Sequence, residues 1–322
     1  MANKELRQLQ NNVQVIGTLK SKDLEIKTSK KGNKYMSGNL VVLSKFDNHV
    51  QEIKISVFMM ESSKLFKGIE TVKNEYKTIE DNGADAADRI EVNGELTLNE
   101  YYNAQGNLVQ FNQVKGIFFN RLDETNDRPD KAIATIDTVV QGFEPVIKND
   151  LPTGEYKVKG FTVGWGNEVI ELKNTIVGPE LAESFMDLYP AGSTGQLNFK
   201  INNYAVVDGV KESENQVSHG FGSTEKAEAR QVTNYVNNIE VIGGEIPYFG
   251  DKAYTEEEIE TALQIRKLKL QELSQPAEDT PPSGFGSNGN DLPPGSLPTG
   301  MEPPQDDNPF SDAPNTDDMP DF

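Results

Sequence analysis

Ile53-Lys54-Ile55-Ser56-Val57-Phe58 alternates apolar and polar side chains with a period of two, as a strand with one buried face does. The pattern extends upstream. Lys34 to Leu43 is a second run, with Met36, Leu40 and Val42 on one face, and Val13, Val15 and Leu19 punctuate an earlier strand that passes Gly17. Downstream, Ser62 to Ile69 reads as a short helix or turn. Ile90 to Leu98 is a fourth strand, and Leu108 to Phe119 a fifth after the turn residues Asn103 to Asn107. Between helix and fourth strand, residues 71 to 89 are polar and acidic around Asp81-Asn82-Gly83, which predicts a loop insertion.

Five strands with a helix between the third and fourth is the order of an OB-type barrel, here over residues 8–122. Residues 123–130 carry turn chemistry throughout and form a linker. Over residues 131–250 the order returns more faintly. Ala132 to Phe143, Tyr156 to Trp165 and Glu168 to Val177 read as strands. Pro179 to Tyr189 is a helix with Leu181, Phe185 and Leu188 on one face, and Gln196 to Val207 and Gln231 to Ile242 close the series. His219 falls in a polar loop around Ser213 to Glu228.

Thr255-Glu256-Glu257-Glu258 is a capping box that opens a helix over 255–273. Ile259, Ala262, Leu263, Ile265, Leu270 and Leu273 form its apolar stripe, and Arg266, Lys267 and Lys269 suit the dipole near its end. The stripe either packs on the second barrel or serves self-association. Residues 276–322 are Pro-, Gly-, Ser-, Asn- and Asp-rich and cannot bury enough surface to offset their ordering entropy. The expected fold is mainly β: tandem five-stranded OB-type barrels, an amphipathic helix and a disordered acidic tail.

The chain of 322 residues has no cysteine and two histidines, His49 and His219. That composition excludes zinc ribbons, thiol nucleophiles and disulfide frameworks. Neither histidine has a nucleophile or metal-ligand pattern around it, and Gly220-Phe221-Gly222 lacks the context of a phosphate loop. No enzyme activity, cofactor or metal is expected. No apolar run reaches the length of a membrane span, so the expectation is a cytoplasmic protein.

The net charge of −20 is unevenly spread. Residues 1–77 carry +6, residues 78–122 carry −4, residues 123–275 carry −12, and residues 276–322 carry ten acids and no base. The basic end is therefore the amino end, and the global acidity does not argue against a polyanionic partner.

Binding a single strand needs cations for phosphates and aromatic faces for bases. Lys27, Lys30, Lys31, Lys34 and Tyr35 crowd into and beside one hairpin loop, and Lys45 with Phe46 and Lys54 lie on the next strands. Tyr101 and Tyr102 stand between strands four and five, a usual nucleic-acid contact of OB folds. Phe58, Phe111 and Phe118 sit in alternating strands and are expected in the core. In the second half Tyr156, Lys157, Lys159, Phe161 and Trp165 are candidates, against an unfavourable local charge that suits subunit pairing instead.

Asn12-Val13-Gln14-Val15-Ile16-Gly17-Thr18-Leu19, then Asp23 to Lys27 and Gly32, resembles the opening strand pair of bacterial and phage single-stranded-DNA-binding proteins. Ile90 to Leu96, followed by Tyr101-Tyr102 and Gly106, is similar to their fourth strand and the loop after it. The likeness covers roughly residues 11–120 plus the tail, and an extra barrel suggests a phage-encoded version in the host-cell cytoplasm. It implies coating of single-stranded DNA in replication, recombination and repair, with possible homo-oligomers. That family's tail ends Asp-Asp-x-Pro-Phe. This chain has Asp317-Asp318-Met319-Pro320-Asp321-Phe322, where Asp321 intrudes, and upstream Asp306-Asp307-Asn308-Pro309-Phe310, which lacks the free carboxylate. Such a tip would dock helicase, polymerase or recombinase through a Phe in an apolar pocket with a basic rim. The competing reading is a protein–protein adaptor whose barrels do not bind DNA.

Overall fold

The computed structural model describes residues 6–211 and 230–274. The tail with both docking candidates, and His219 with its loop, lie outside the described residues.

The first barrel is built from β1 (Asn11–Thr28), β2 (Lys34–Phe46), β3 (His49–Met60), β4 (Arg89–Tyr102) and β5 (Leu108–Leu122). Its ring runs β1–β2–β3–β5–β4 and closes back on β1, antiparallel except for β3 beside β5. The period-two residues do what their spacing predicts. Met36, Leu40, Val42 and Ile55 are fully buried, and Ile53 and Val57 nearly so. β1 serves two sides of the ring by bending at a bulge between Leu19 and Ser21.

Residues 71 to 89 are not a loop insertion. Helix α1 (Phe66–Glu75) runs on into their first five positions, and α2 (Ile79–Asn82) follows, opened by Thr78, whose Oγ1 accepts from the Asp81 amide at 3.0 Å. The reason is apolar spacing that the acidic composition masks. Phe66, Ile69, Val72 and Tyr76 fall on one side and enter the barrel core. The α1 C-terminus is held by Lys22, whose Nζ donates to the carbonyls of Val72, Lys73 and Tyr76. Burial pushes that amine's pKa down.

The second barrel comprises β6 (Lys131–Lys148), β7 (Leu151–Val163), β8 (Val169–Glu171), β9 (Thr175–Val177), β10 (Thr194–Lys211) and β11 (Arg230–Gly244), with α3 (Pro179–Leu188) before β10. Its ring runs β6–β7–β9–β11–β10 and back to β6, with β9 parallel to β11 as β3 is to β5. The protein is thus a pair of closed five-stranded OB-type barrels. Two details differ from the expected pattern. The strand expected over Glu168 to Val177 is broken into β8 and β9 around Asn174, whose φ is 53°. On α3 it is Ala182 and Phe185 that are buried, while Leu188 is 47% exposed because the helix ends there.

The barrels are joined strand to strand. Asn11 to Ile16 of β1 pairs antiparallel with Ile136 to Lys131 of β6, making one sheet of eleven strands. The contacts on either side of this seam mirror each other. The β2–β3 corner of the first barrel meets β10 of the second through Asp47–Lys200 at 2.7 Å, Asn203–Gln51 at 2.7 Å and a His49–Tyr204 ring stack at 4.0 Å. Reciprocally, the β8–β9 corner meets the first barrel's β4–β5 hairpin. Asn112 Nδ2 donates to the Glu171 carbonyl at 2.9 Å, and its Oδ1 accepts from the Lys173 amide at 2.5 Å. Residues 123–130 are fastened rather than loose: Arg89 reaches Asp127 at 2.9 Å and Asp130 at 2.7 Å. Both barrels belong to one compact unit.

Helix α4 (Glu256–Ser274) starts with the expected box, the Glu258 amide donating to Thr255 Oγ1 and Glu258 Oε2 accepting from the Thr255 amide. It packs on the second barrel: Ile259, Ala262 and Ile265 meet Leu6, Leu9, Val139, Phe161, Val163 and Val169. Leu263, expected in the stripe, is 40% exposed. Arg266, read from the sequence as a dipole partner near the helix end, is buried.

Candidate nucleic-acid interface

The outer face of the first barrel can be read row by row from the strand register. Lys27 on β1 stands opposite Tyr35 on β2, which stands opposite Met60 on β3. The next outward row is Glu25, Ser37 and Phe58, then Asp23, Asn39 and Ser56, then Ser21, Val41 and Lys54. Across the parallel seam Ser56 faces Lys115 of β5, whose outward companions Gln113 and Phe111 lie opposite Thr97 and Asn99 of β4. One continuous surface therefore carries Lys27, Tyr35, Phe58, Lys54 and Phe111.

Its centre is a pair of rings. Tyr35 and Phe58 lie 5.2 Å apart at a 36° tilt, Tyr35 half-buried and Phe58 43% exposed. A base needs this arrangement, because an exposed ring offers a face that every base can cover. Beside it is the β1–β2 turn. The Ser29 amide donates to the Asn33 carbonyl, Ser29 Oγ accepts from the Asn33 amide, and Gly32 supplies the left-handed step with φ 81°. The turn points Lys30 and Lys31 into solvent. Lys27 and Lys34 make only loose pairs, with Glu25 at 3.5 Å and Glu61 at 3.9 Å. Lys30, Lys31, Lys45 and Lys54 make no ion pair among the described residues. Cations without carboxylate partners remain available to phosphates at little cost.

The structure thus brings together Lys27, Lys30, Lys31, Lys34 and Tyr35, with Lys54 three rows away. Lys45 and Phe46 end the same strand but sit at its far end, about 36 Å from Tyr35 at ~3.3 Å per residue, beside the tight turn Asp47–Asn48 and the second barrel. Tyr101 and Tyr102 reach the tip of the β4–β5 hairpin and point to opposite sides of it, Tyr101 with the outward row of Asn99 and Phe111. Trp165, 75% exposed, belongs to the other barrel, in a short turn between β7 and β8.

Phe58, Phe111 and Phe118 are not core residues. They are 43%, 38% and 52% exposed. For Phe58 the sequence held the signal, since Ile53, Ile55, Val57 and Met59 fill the inward phase. Phe111 is likewise out of phase with buried Val114. Phe118 is in phase with Val114, but the irregular register beside Gly94 and Gly116 exchanges it with Phe119, which packs on the core instead.

Among the described residues no cluster of three or more His, Asp or Glu could hold a metal ion, and no helix is long and apolar enough to cross a membrane.

Fold and face together define a tandem OB-barrel protein with an exposed basic–aromatic surface. More narrowly, the chain belongs to the YorF family, whose sequence profile matches residues 10–276. A search of curated proteins finds no match. Among solved structures, the chain is similar to the single-stranded DNA binding protein from Thermus aquaticus, at 14% identity over 78% of this chain and 99% of that one, with a TM-score of 0.45. It is also similar to a Plasmodium falciparum SSB in complex with ssDNA, at 16% identity over 38% and 100% of the two chains, TM-score 0.25. A mitochondrial single-stranded DNA binding protein from S. cerevisiae aligns at 10% identity over 37% and 98%, TM-score 0.23.

Proposed function

We propose that this protein binds single-stranded DNA, without strong sequence preference, on the outer face of its first barrel. The observation that carries the reading is the Tyr35–Phe58 pair, with Phe58 exposed, beside a turn whose Lys30 and Lys31 make no ion pair among the described residues. Stacked rings accept any base, and the lysines neutralise phosphates, so affinity is sequence-tolerant and falls steeply with salt. A duplex hides its base faces and engages the lysines alone. The biological setting that suits such binding is protection of single strands in replication, recombination and repair, in the cytoplasm. The acidic residues 276–322 would then recruit helicase, polymerase or recombinase through Asp306 to Phe310 or Asp317 to Phe322.

The test is fluorescence anisotropy of a labelled oligo-dT against a duplex of equal length, with the full chain and a truncation after Gln275. The single strand is expected to bind more tightly, and alanine at Lys30, Lys31, Lys34 and Tyr35 together to weaken it. Removing the acidic tail is expected to tighten binding, most at low salt, by ending competition for the lysines. Equal affinity for duplex, or no binding at low salt, would overturn the reading in favour of an adaptor that works through its tail.

A further inference from the structure

One polar cluster lies away from the lysine turn and has an almost fully buried pair at its centre. Arg266 of α4 and Glu100 of β4 are 3% and 4% exposed, and they meet fork to fork, Nη1 to Oε1 at 2.7 Å and Nη2 to Oε2 at 2.5 Å. Nη2 also reaches Glu171 of β8 at 3.1 Å. Gln110 donates to Glu100 at 3.1 Å, and Lys269 stands 3.4 Å from Glu100 and 3.7 Å from Glu168. Three elements remote in sequence are tied at one point: the first barrel's β4–β5 hairpin, the second barrel's β8, and α4.

Packing alone does not call for such a pair. Taking two charges out of water is costly, and apolar residues of similar volume often stabilise as well or better. What the guanidinium fork adds is direction, because two parallel hydrogen bonds fix the carboxylate in angle as well as distance. Strand alternation carries that direction across the hairpin. Glu100, Gln110 and Asn112 are on the held side, while Asn99, Tyr101 and Phe111 are on the outward side, which meets the Tyr35–Phe58 face across the Ser56–Lys115 seam and lies toward its Lys54 end.

We infer that Arg266 is a positioning residue for single-strand binding: by gripping Glu100 it fixes the hairpin so that Tyr101 and Phe111 extend the stacking surface of the first barrel. The inference rests on the function proposed above. It also makes the C-terminal helix a working part of the first barrel's site, although that helix packs mainly on the second.

A double-mutant cycle tests it in the full chain. Tyr101→Ala is measured with wild-type residues at 100 and 266, then beside Glu100→Leu with Arg266→Leu, which removes both charges and orphans neither. Arg266→Lys keeps the charge but loses the fork, and serves as the second background should the apolar pair melt in circular dichroism. The readout is anisotropy of a short and a long oligo-dT. In the wild-type background Tyr101→Ala is expected to weaken the long oligonucleotide about ten-fold and the short one little. In either altered background its effect shrinks below about two-fold, because the ring is no longer held in place. If Tyr101→Ala costs the same in all backgrounds while the wild type binds, the positioning role is refuted and the proposed function stands. If the wild type binds no oligonucleotide, both fall.

Discussion

Phe58→Ala separates the surface reading from a core reading by a wide margin. The ring leaves β3 on the outward phase, is 43% exposed and touches Tyr35 at 5.2 Å. A stacked base is worth about 1–3 kcal/mol, and since 1.4 kcal/mol is tenfold the substitution should weaken oligo-dT binding by roughly 5- to 150-fold. The fold should barely notice, because the loss is one exposed aromatic contact worth about 0.5–1.5 kcal/mol. Its neighbour gives the opposite result. Met59 is 8% exposed and points inward, so Met59→Ala should cost about 2–5 kcal/mol of stability and leave the affinity of folded molecules unchanged. Anisotropy titrations at fixed salt and urea melts on both variants read the two quantities separately. A Phe58→Ala protein that binds as tightly as the wild type, or that loses more stability than Met59→Ala, refutes the assignment of this face.

The turn lysines should show in the salt dependence: Lys30→Ala with Lys31→Ala lowers the slope of log affinity against log salt by about 1.4, at ~0.7 per phosphate on single strands, and an unchanged slope removes them from the contact. At Gly17 a Cβ would lie 2.1 Å from the Leu43 carbonyl oxygen, so Gly17→Ala should cost at least about 1–3 kcal/mol; an unchanged Tm contradicts that close approach. Acid should weaken the α4 clamp. Burial alone would raise the Glu100 pKa, but hydrogen bonds from Arg266 and Gln110 and the nearby charges hold it below the usual range. The unfolded chain then takes up the proton first, so stability is full above about pH 4.3 and falls as pH drops toward the depressed folded value. Glu100→Leu with Arg266→Leu should flatten this part of the urea midpoint against pH. Finally, the shared β1–β6 ladder and common core predict one calorimetric unfolding transition for residues 6–274; two resolved peaks would show the barrels melting separately.

Much of this architecture is legible in the sequence because period-two alternation survives wherever one side of a strand is buried. Met36, Leu40, Val42, Ile53 and Ile55 announce the first barrel. The strand order then follows from the helix between Met60 and Arg89. Local composition misleads where tertiary contacts decide. The acidic stretch around Asp81 hides Ile69, Val72 and Tyr76, whose spacing is helical. Arg266 looks like a surface cation until Glu100, 166 residues away, is brought to it. The break at Asn174 depends on Asn112 of the other barrel taking over the backbone groups of Glu171 and Lys173. The lysine turn and Tyr35 stand out as candidates by charge and type, whereas the placement of Phe118 depends on a bulge that no alternation pattern announces.

The seam between β1 and β6 has a consequence for how the two halves can change. When two copies of one chain pair strand to strand, every residue at the contact is present twice, and a substitution that suits one side is imposed on the other. Here the seam lies inside a single chain, and Val13 and Gln14 face Ala134 and Ile133, not themselves. Each side can vary alone. The freedom is visible in the charge, +2 over residues 1–122 against −12 over residues 123–275. A nearly neutral half and an acidic half, inseparable and always in equal number, make every molecule electrically lopsided.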